Sequence, residues 1–371
     1  MKKFINAKIY SKNFKYENGS FSIDDDGKFC DVFCDKNFEN EIIDLKNAKV
    51  LPALIDIHTH GAMNFDFSDL GVDNISGLDN AINYYHKNGI IPFSTTLTLP
   101  YEQIENIVKY HEKLFSIYLE GPFISKEKKG AQNELYIKEP DFDFFNKIYD
   151  KSDGKIKVVT IAPEKNNAID FIKKASKLCT VSIAHTNCDY DIACKAFDVG
   201  ATGVTHLFNA MNGIHHRNPG PVMAALNYKN VMVELISDGY HIDKHMVKFV
   251  FDSFGSDRVV LISDSLECLG MPDGDYEIAG LKCVLKENVA RLLDGTIAGS
   301  STNLYECMKK AISFGIKEED AIKASTFNPA KHTGILDKYG TIENKKMACF
   351  VVADDNLSIQ KVYINGKLVD V

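Results

Sequence analysis

Short runs of apolar and β-branched residues recur along the chain, and a stretch with helical spacing of its apolar positions tends to follow each one. The runs are Val50–Ile57, Ile90–Thr98, Phe115–Leu119, Lys157–Ala162, Thr180–Ala184, Ala201–Thr205, Val231–Ser237 and Arg258–Ser263. They are near-continuous in apolar character, as strands covered on both faces require. Asn74–Lys87, Glu102–Lys113, Ala168–Lys177, Tyr190–Val199 and Lys244–Phe254 lie between them and read as one-sided helices. Strands alternating with helices predict an α/β fold with a parallel sheet. Eight such strands predict that it closes as a (β/α)8 TIM barrel.

The ends of the chain have a different pattern. Residues 1–49 hold short strands separated by turn residues, and residues 344–371 repeat that habit, with Asn365-Gly366 as a hairpin turn. The expected organisation is a small β-sandwich domain made by 1–49 and 344–371 together, beside a barrel domain over 50–343. The composition, 45% hydrophobic and 25% charged over 371 residues, supplies a core of that size. A net charge of -8 without a basic run argues against nucleic-acid binding. No run of 18 apolar residues occurs, so no membrane partner is expected, and MKKFINAKIY lacks the apolar stretch of a secretion signal. Nine dispersed cysteines without a C-x-x-C pair fit a reducing compartment, and a cytoplasmic location is expected.

Residues at the C-terminal ends of barrel strands face the active site. The first run ends Asp56-Ile57-His58-Thr59-His60, where positions two apart project together and two imidazoles can share a metal. The third run ends at Glu120, the fifth at His185, the sixth at His206 and the eighth at Asp264. Imidazole and carboxylate ligands suit zinc, iron, manganese or nickel. Singly, a strand-end histidine is more often a hydrogen-bonded structural residue, and an aspartate there is often a helix cap. Together, four of the 11 histidines fall on one expected rim, which chance does not account for.

The stretches His58-Thr59-His60, Leu119-Glu120-Gly121-Pro122-Phe123, Ala184-His185-Thr186-Asn187 and His206-Leu207-Phe208-Asn209-Ala210-Met211 carry a resemblance. So do His216-Arg217-Asn218-Pro219-Gly220, Asp238-Gly239-Tyr240-His241, Ser263-Asp264-Ser265 and Asp294–Ser300. In this order, from about Pro52 to about Gly340, the chain resembles the N-acetylglucosamine-6-phosphate deacetylases of the amidohydrolase superfamily. The resemblance implies metal-dependent removal of the acetyl group from N-acetylglucosamine 6-phosphate, in amino-sugar metabolism. Glu120, His185 and His206 would be the principal ligands, with His58 and His60 holding a second ion in those members that keep the pair. One or two divalent ions are expected, zinc first, with iron, manganese, cobalt or nickel as alternatives. Asp264 would be the general base and acid. Asn209 and Ala210 would meet the sugar through backbone groups, as would His241 through its side chain.

Arg217 is the phosphate candidate, because its planar fork matches phosphate oxygens. By resemblance its loop acts across a subunit interface, which implies a homodimer. Gln132 departs from the pattern, since many members carry a histidine there that binds near the acetyl carbonyl. Glutamine still donates a hydrogen bond but carries no charge. The 294–300 segment follows a β-hairpin expected after Asp264 and reads equally as a flap over the pocket or as a structural turn. Two rival readings stand beside the deacetylase. One is another amidohydrolase that opens a cyclic amide or deaminates a base. The other is an inactive barrel used as an oligomeric scaffold.

Overall fold

The computed structural model describes residues 1–34, 41–70, 75–278 and 281–370, so Asn74 and Val371 of the expected elements lie outside the described residues. Seven parallel strands hydrogen-bond in chain order: Ser94–Thr96, Ile117–Leu119, Ile156–Ile161, Thr180–Ile183, Gly203–Val204, Met232–Ile236 and Val259–Ile262. Leu54–Asp56 pairs in parallel with Ile90–Pro92, the stretch just ahead of Ser94–Thr96. On its other side the chain meets the last strand, where the Asp264 N–H donates to His58 O at 3.0 Å and the His60 N–H donates to Ser265 O at 2.7 Å. All eight expected runs thus contribute to a curled parallel arrangement of mixed α/β class.

Alternation along the strands sorts their side chains into two layers. Ile55, Tyr118, Val158, Met232, Val260 and Ile262 share one buried cluster. Their neighbours Leu54, Leu119, Val159, Val233, Val259 and Leu261 belong to a larger cluster with Ile104, Phe145, Phe171 and Val250 of the helices. The first layer fills the concave interior and the second seats the helices, as a period of two demands. The helices Tyr101–Lys109, Ala168–Ala175, Tyr190–Asp198 and Lys244–Phe254 fall where the apolar spacing placed them. No helix among the described residues is long and apolar enough to cross a membrane.

Two features differ from the sequence expectation, and the terminal strands add a third detail. The run Val50–Ile57 is two strands, because the chain changes partner at Ala53. The Ala53 N–H donates to Cys349 O and the Leu54 N–H to Gly89 O, each at 2.9 Å. The terminal strands are hydrogen-bonded into one continuous eight-stranded sheet that folds over on itself, so that Phe350 of one half packs on Phe4, Phe21 and Phe29 of the other. Lys49–Pro52 joins its halves by pairing in parallel with Lys2–Tyr10 and antiparallel with Phe350–Ala353. Beyond Asp264 the chain forms a four-stranded antiparallel sheet, Gly274–Ile278 through Ile297–Ser300, where one hairpin was expected. The Asn365-Gly366 turn is as expected: both residues have positive φ, 49° and 74°, and join Ile359–Ile364 to Lys367–Val369. All nine cysteines are unpaired.

Candidate metal centre

Glu120 follows Ile117–Leu119 and is 2% exposed. Its Oε1 lies 3.0 Å from both His185 Nε2 and His206 Nε2, and 3.4 Å from His58 Nε2. Its Oε2 lies 3.5 Å from His60 Nε2. Two metal-capable groups therefore share this carboxylate: His58, His60 and Glu120, and Glu120, His185 and His206, all buried. Strand alternation alone would not aim all of these inward. Ile183 and Val204 sit in the helix-facing cluster, and two residues on, His185 and His206 would face the same way. Both instead adopt left-handed backbone, φ 43° and 31°, as does Asp264 at 50°. Such conformations cost about 1–3 kcal/mol each and concentrate at functional sites. Gly121 makes the first turn past Glu120 with φ 90°, and a side chain there would collide with Thr98 Oγ1.

The hydrogen bonds behind the rings fix what the rings present. His185 Nδ1 lies 2.8 Å from Lys128 O, and His58 Nδ1 lies 3.1 Å from Glu234 Oε2. A carbonyl or carboxylate only accepts, so each Nδ1 carries the proton and each neutral ring offers a bare Nε2. Those lone pairs point at the Glu120 carboxylate, and His185 Nε2 stands 3.2 Å from His206 Nε2. Converging acceptors of this kind need a cation or an extra proton between them. Without a metal the cluster answers with protons. Burial opposes a charged His58, yet the Glu120, Glu234 and Asp264 carboxylates raise it well above the ordinary imidazole range. Burial likewise opposes an ionised Glu120, and the surrounding imidazoles hold it well below the usual carboxylate range. A divalent ion satisfies the same set with neutral rings, so the residues fit a metal.

Asp264 Oδ1 lies 3.2 Å from His60 Nε2 and 3.6 Å from His58 Nε2. A cavity of about 170 Å³ opens onto this floor, lined also by Gln132, Asn209, Ala210, His241 and Ile297. The Asp294–Ser300 segment therefore contributes wall, through Thr296, Ile297 and Ala298. Gln132 is held at both ends: its Oε1 accepts from the Thr98 N–H at 2.7 Å and its Nε2 donates to Glu120 Oε2 at 2.5 Å, which leaves the second Nε2 hydrogen. His241 Nδ1 lies 2.7 Å from Asp238 Oδ2. Burial works against charge on this ring, but Asp238 outweighs it and lifts the imidazole above its ordinary value. Arg217 stands apart from the other expected residues. It is exposed, outside the cavity lining, with Nη1 2.7 Å from His216 Nε2.

The pattern of the Amidohydrolase family matches residues 49–369. The N-acetylglucosamine-6-phosphate deacetylase of Bacillus subtilis is 31% identical over 97% of this chain and 95% of its own length. This chain belongs to the amidohydrolase family, among its N-acetylglucosamine-6-phosphate deacetylases. An N-acetylgalactosamine-6-phosphate deacetylase of Escherichia coli O157:H7 is 30% identical over 87% of this chain and 88% of its own. The fold is similar to that of the Mycobacterium smegmatis N-acetyl-D-glucosamine-6-phosphate deacetylase, solved as an aspartate-to-alanine mutant in complex with N-acetyl-D-glucosamine-6-phosphate. That likeness has a TM-score of 0.91 at 26% identity, over 99% of this chain and 98% of that one.

In this amidohydrolase a larger hollow of about 670 Å³ lies beside the metal centre, lined by Asp66, Asp69, Glu267, Asp275 and Glu277 among others. Its acidity disfavours a phosphorylated ligand. Glu267 is 6% exposed and neither carboxylate oxygen has a hydrogen-bond partner. Burial, and then Asp66, push its carboxyl up to about 8. A raised carboxyl adds stability below its unfolded value and loses it as pH rises through the folded value, here from about 4.5 to about 8. Glu267→Gln is therefore expected to melt several degrees above wild type at pH 8 and level with it near pH 4.5, a difference on the order of 3 kcal/mol. Thermal melts at both pH values check this, and a gap that does not widen with pH would contradict it.

Two residues were given no role in the sequence reading. Glu234 backs His58, and Asp238 backs His241. A signal for Glu234 was present, since it is the one charged residue in the otherwise apolar strand Met232–Ile236. A charge there must be paired.

Proposed function

We infer that this chain hydrolyses N-acetyl-D-glucosamine 6-phosphate to D-glucosamine 6-phosphate and acetate. The observation that carries this is the convergence of Glu120, His185, His206, His60 and Asp264 on one cavity floor, with His58 against Glu120 beneath it, in a chain whose close relatives are amino-sugar-phosphate deacetylases. The test is acetate release from N-acetylglucosamine with and without its 6-phosphate, before and after chelation. Release from the phosphorylated sugar that chelator abolishes is expected. Release of ammonia, or hydrolysis of a cyclic amide instead, would favour another amidohydrolase chemistry. No metal and no amide hydrolysis would favour the scaffold.

Glu120, His185 and His206 would hold one divalent ion, and His58, His60 and Glu120 a second, with zinc the first choice for an imidazole-rich set. The metal supplies Lewis-acid activation, polarising the amide carbonyl and lowering the pKa of water from about 15.7 toward about 7. Asp264 takes a proton from the attacking water as the new C–O bond forms. It then delivers that proton to the nitrogen as the C–N bond breaks, because an unprotonated amide nitrogen leaves poorly. Gln132 holds Glu120 by Oε2. His241, fixed through Asp238, offers Nε2 to a sugar hydroxyl, and the Asn209-Ala210 backbone borders the same space.

The cavity lining, among the described residues, includes no lysine or arginine, so the phosphate needs a cation from outside it. We assign that role to Arg217 of a second copy, which makes a homodimer the working form. Arg217→Met is expected to raise KM for the phosphorylated sugar about 10- to 100-fold, the worth of a charged hydrogen bond, with kcat little changed. An unaltered KM in steady-state kinetics would remove Arg217 from phosphate binding. The curled parallel sheet reads as a closed (β/α)8 barrel, with the terminal sheet as its small companion domain. A cytoplasmic location fits a sugar-phosphate substrate.

A further inference from the structure

Glu234 lies outside the cavity lining, yet it is 1% exposed in the centre of a strand whose five residues are all buried. An isolated carboxylate in such a place is costly. This one is held on both oxygens. Oε2 lies 3.1 Å from His58 Nδ1, and Oε1 accepts from the Tyr118 hydroxyl at 2.9 Å. The Tyr118 oxygen lies 2.7 Å from Thr205 Oγ1, which in turn donates to Ser182 Oγ at 2.7 Å. The Tyr118 ring also packs on the His58 ring, with centroids 4.7 Å apart.

The other three imidazoles lack such support. His185 Nδ1 meets only a backbone carbonyl, and the buried Nδ1 atoms of His60 and His206 have no hydrogen-bond partner. Of the four rings only His58 is backed by a carboxylate. That contact keeps the proton on Nδ1, leaves the Nε2 lone pair facing Glu120, and feeds negative charge through the ring.

We propose that Glu234 is the positioning residue that makes His58 a metal ligand, and that its carboxylate decides whether the His58–His60 half of the centre holds an ion. This rests on the two-ion reading above. In the loaded centre Glu234 would hold the His58 ring from behind, through Nδ1. The side chains of Glu120, His185 and His206 make no hydrogen bond to this carboxylate, which reaches that half only through the His206 backbone N–H, at 3.4 Å from Oε2.

The test is metal stoichiometry and affinity. Wild type, Glu234→Gln, Glu234→Leu, His58→Asn and the double variant His58→Asn/Glu234→Leu are loaded with zinc and dialysed. Each is then analysed by elemental mass spectrometry and chelator competition, with thermal melts alongside. Wild type is expected to hold two ions. Glu234→Leu is expected to keep one at unaltered affinity and bind the other about 10- to 100-fold more weakly. Glu234→Gln, which still accepts from His58 Nδ1 but carries no charge, is expected near the lower end of that range. The double variant should bind as His58→Asn alone does, which a merely structural role for Glu234 would not produce.

Two ions at wild-type affinity in Glu234→Leu, or a further loss in the double variant, would overturn the proposal while leaving the two-ion reading intact. Fewer than two ions in wild type would overturn that reading and the proposal with it. Should Glu234→Leu not fold, unaltered affinity in Glu234→Gln would overturn the proposal by itself.

Discussion

Replacing Asp264 with asparagine is expected to lower turnover of N-acetylglucosamine 6-phosphate by about 10²- to 10⁴-fold, the usual worth of a placed general acid–base. The substitution is nearly isosteric, and the metal-capable groups are complete without Asp264, so bound metal should be retained. What is lost is a group able to take a proton from water and return it to nitrogen. Burial favours a neutral Asp264, but hydrogen bonding to His60 and positive charge beside it, from His58 in the metal-free cluster and from the ion when one is bound, hold its carboxyl below the ordinary aspartate range. It is therefore ionised, and competent as a base, throughout the neutral range. The wild-type rate should fall only as pH drops into the acid range, and that acid limb should vanish from the residual rate of the variant. Stopped assays of acetate across pH, with metal content measured on the same samples, decide it. Turnover near wild type with full metal would remove Asp264 from the reaction.

The second large effect is expected at Glu120, the only residue common to both metal-capable groups. Glu120→Gln keeps the size of the side chain and removes its charge. Five side-chain partners, His58, His60, His185, His206 and Gln132, then face an amide where they faced a carboxylate. Both halves of the centre should empty, and amide hydrolysis should fall by more than about a thousandfold, since Lewis-acid activation is worth several kcal/mol. Stability should register the same loss. Chelation should lower the Tm of metal-loaded wild type and leave that of Glu120→Gln in place, because binding to the folded state alone stabilises by mass action. A variant that keeps both its metal and its chelator response would show that Glu120 is not the shared ligand.

Much of the centre was legible because barrel strands are buried on both faces. Their apolar runs stand out, and the first polar residue after each run is a rim residue. Glu120, His185, His206, His58, His60 and Asp264 were all found this way. Direction was less legible than position. His185 and His206 reach the cavity through left-handed backbone that no residue type announces, since neither is glycine. The break in Val50–Ile57 was hidden because the run is apolar throughout, and the change of partner depends on Cys349 and Gly89, remote in sequence. The single terminal sheet was hidden for the same reason: it depends on Lys8 and Ile9 pairing in parallel with Lys49 and Val50. Arg217 was chosen for its chemistry, and it lies outside the cavity lining of its own chain. Glu234 was passed over because a lone charge in a strand was read as strand, although its burial demanded a partner.

Anomalous diffraction from zinc-loaded crystals of active protein bears most directly on the metal centre. A peak is expected about 2.0–2.2 Å from Glu120 Oε1, His185 Nε2 and His206 Nε2 together. Active, metal-dependent protein whose zinc lies elsewhere, with these three atoms free of it, would contradict the assignment.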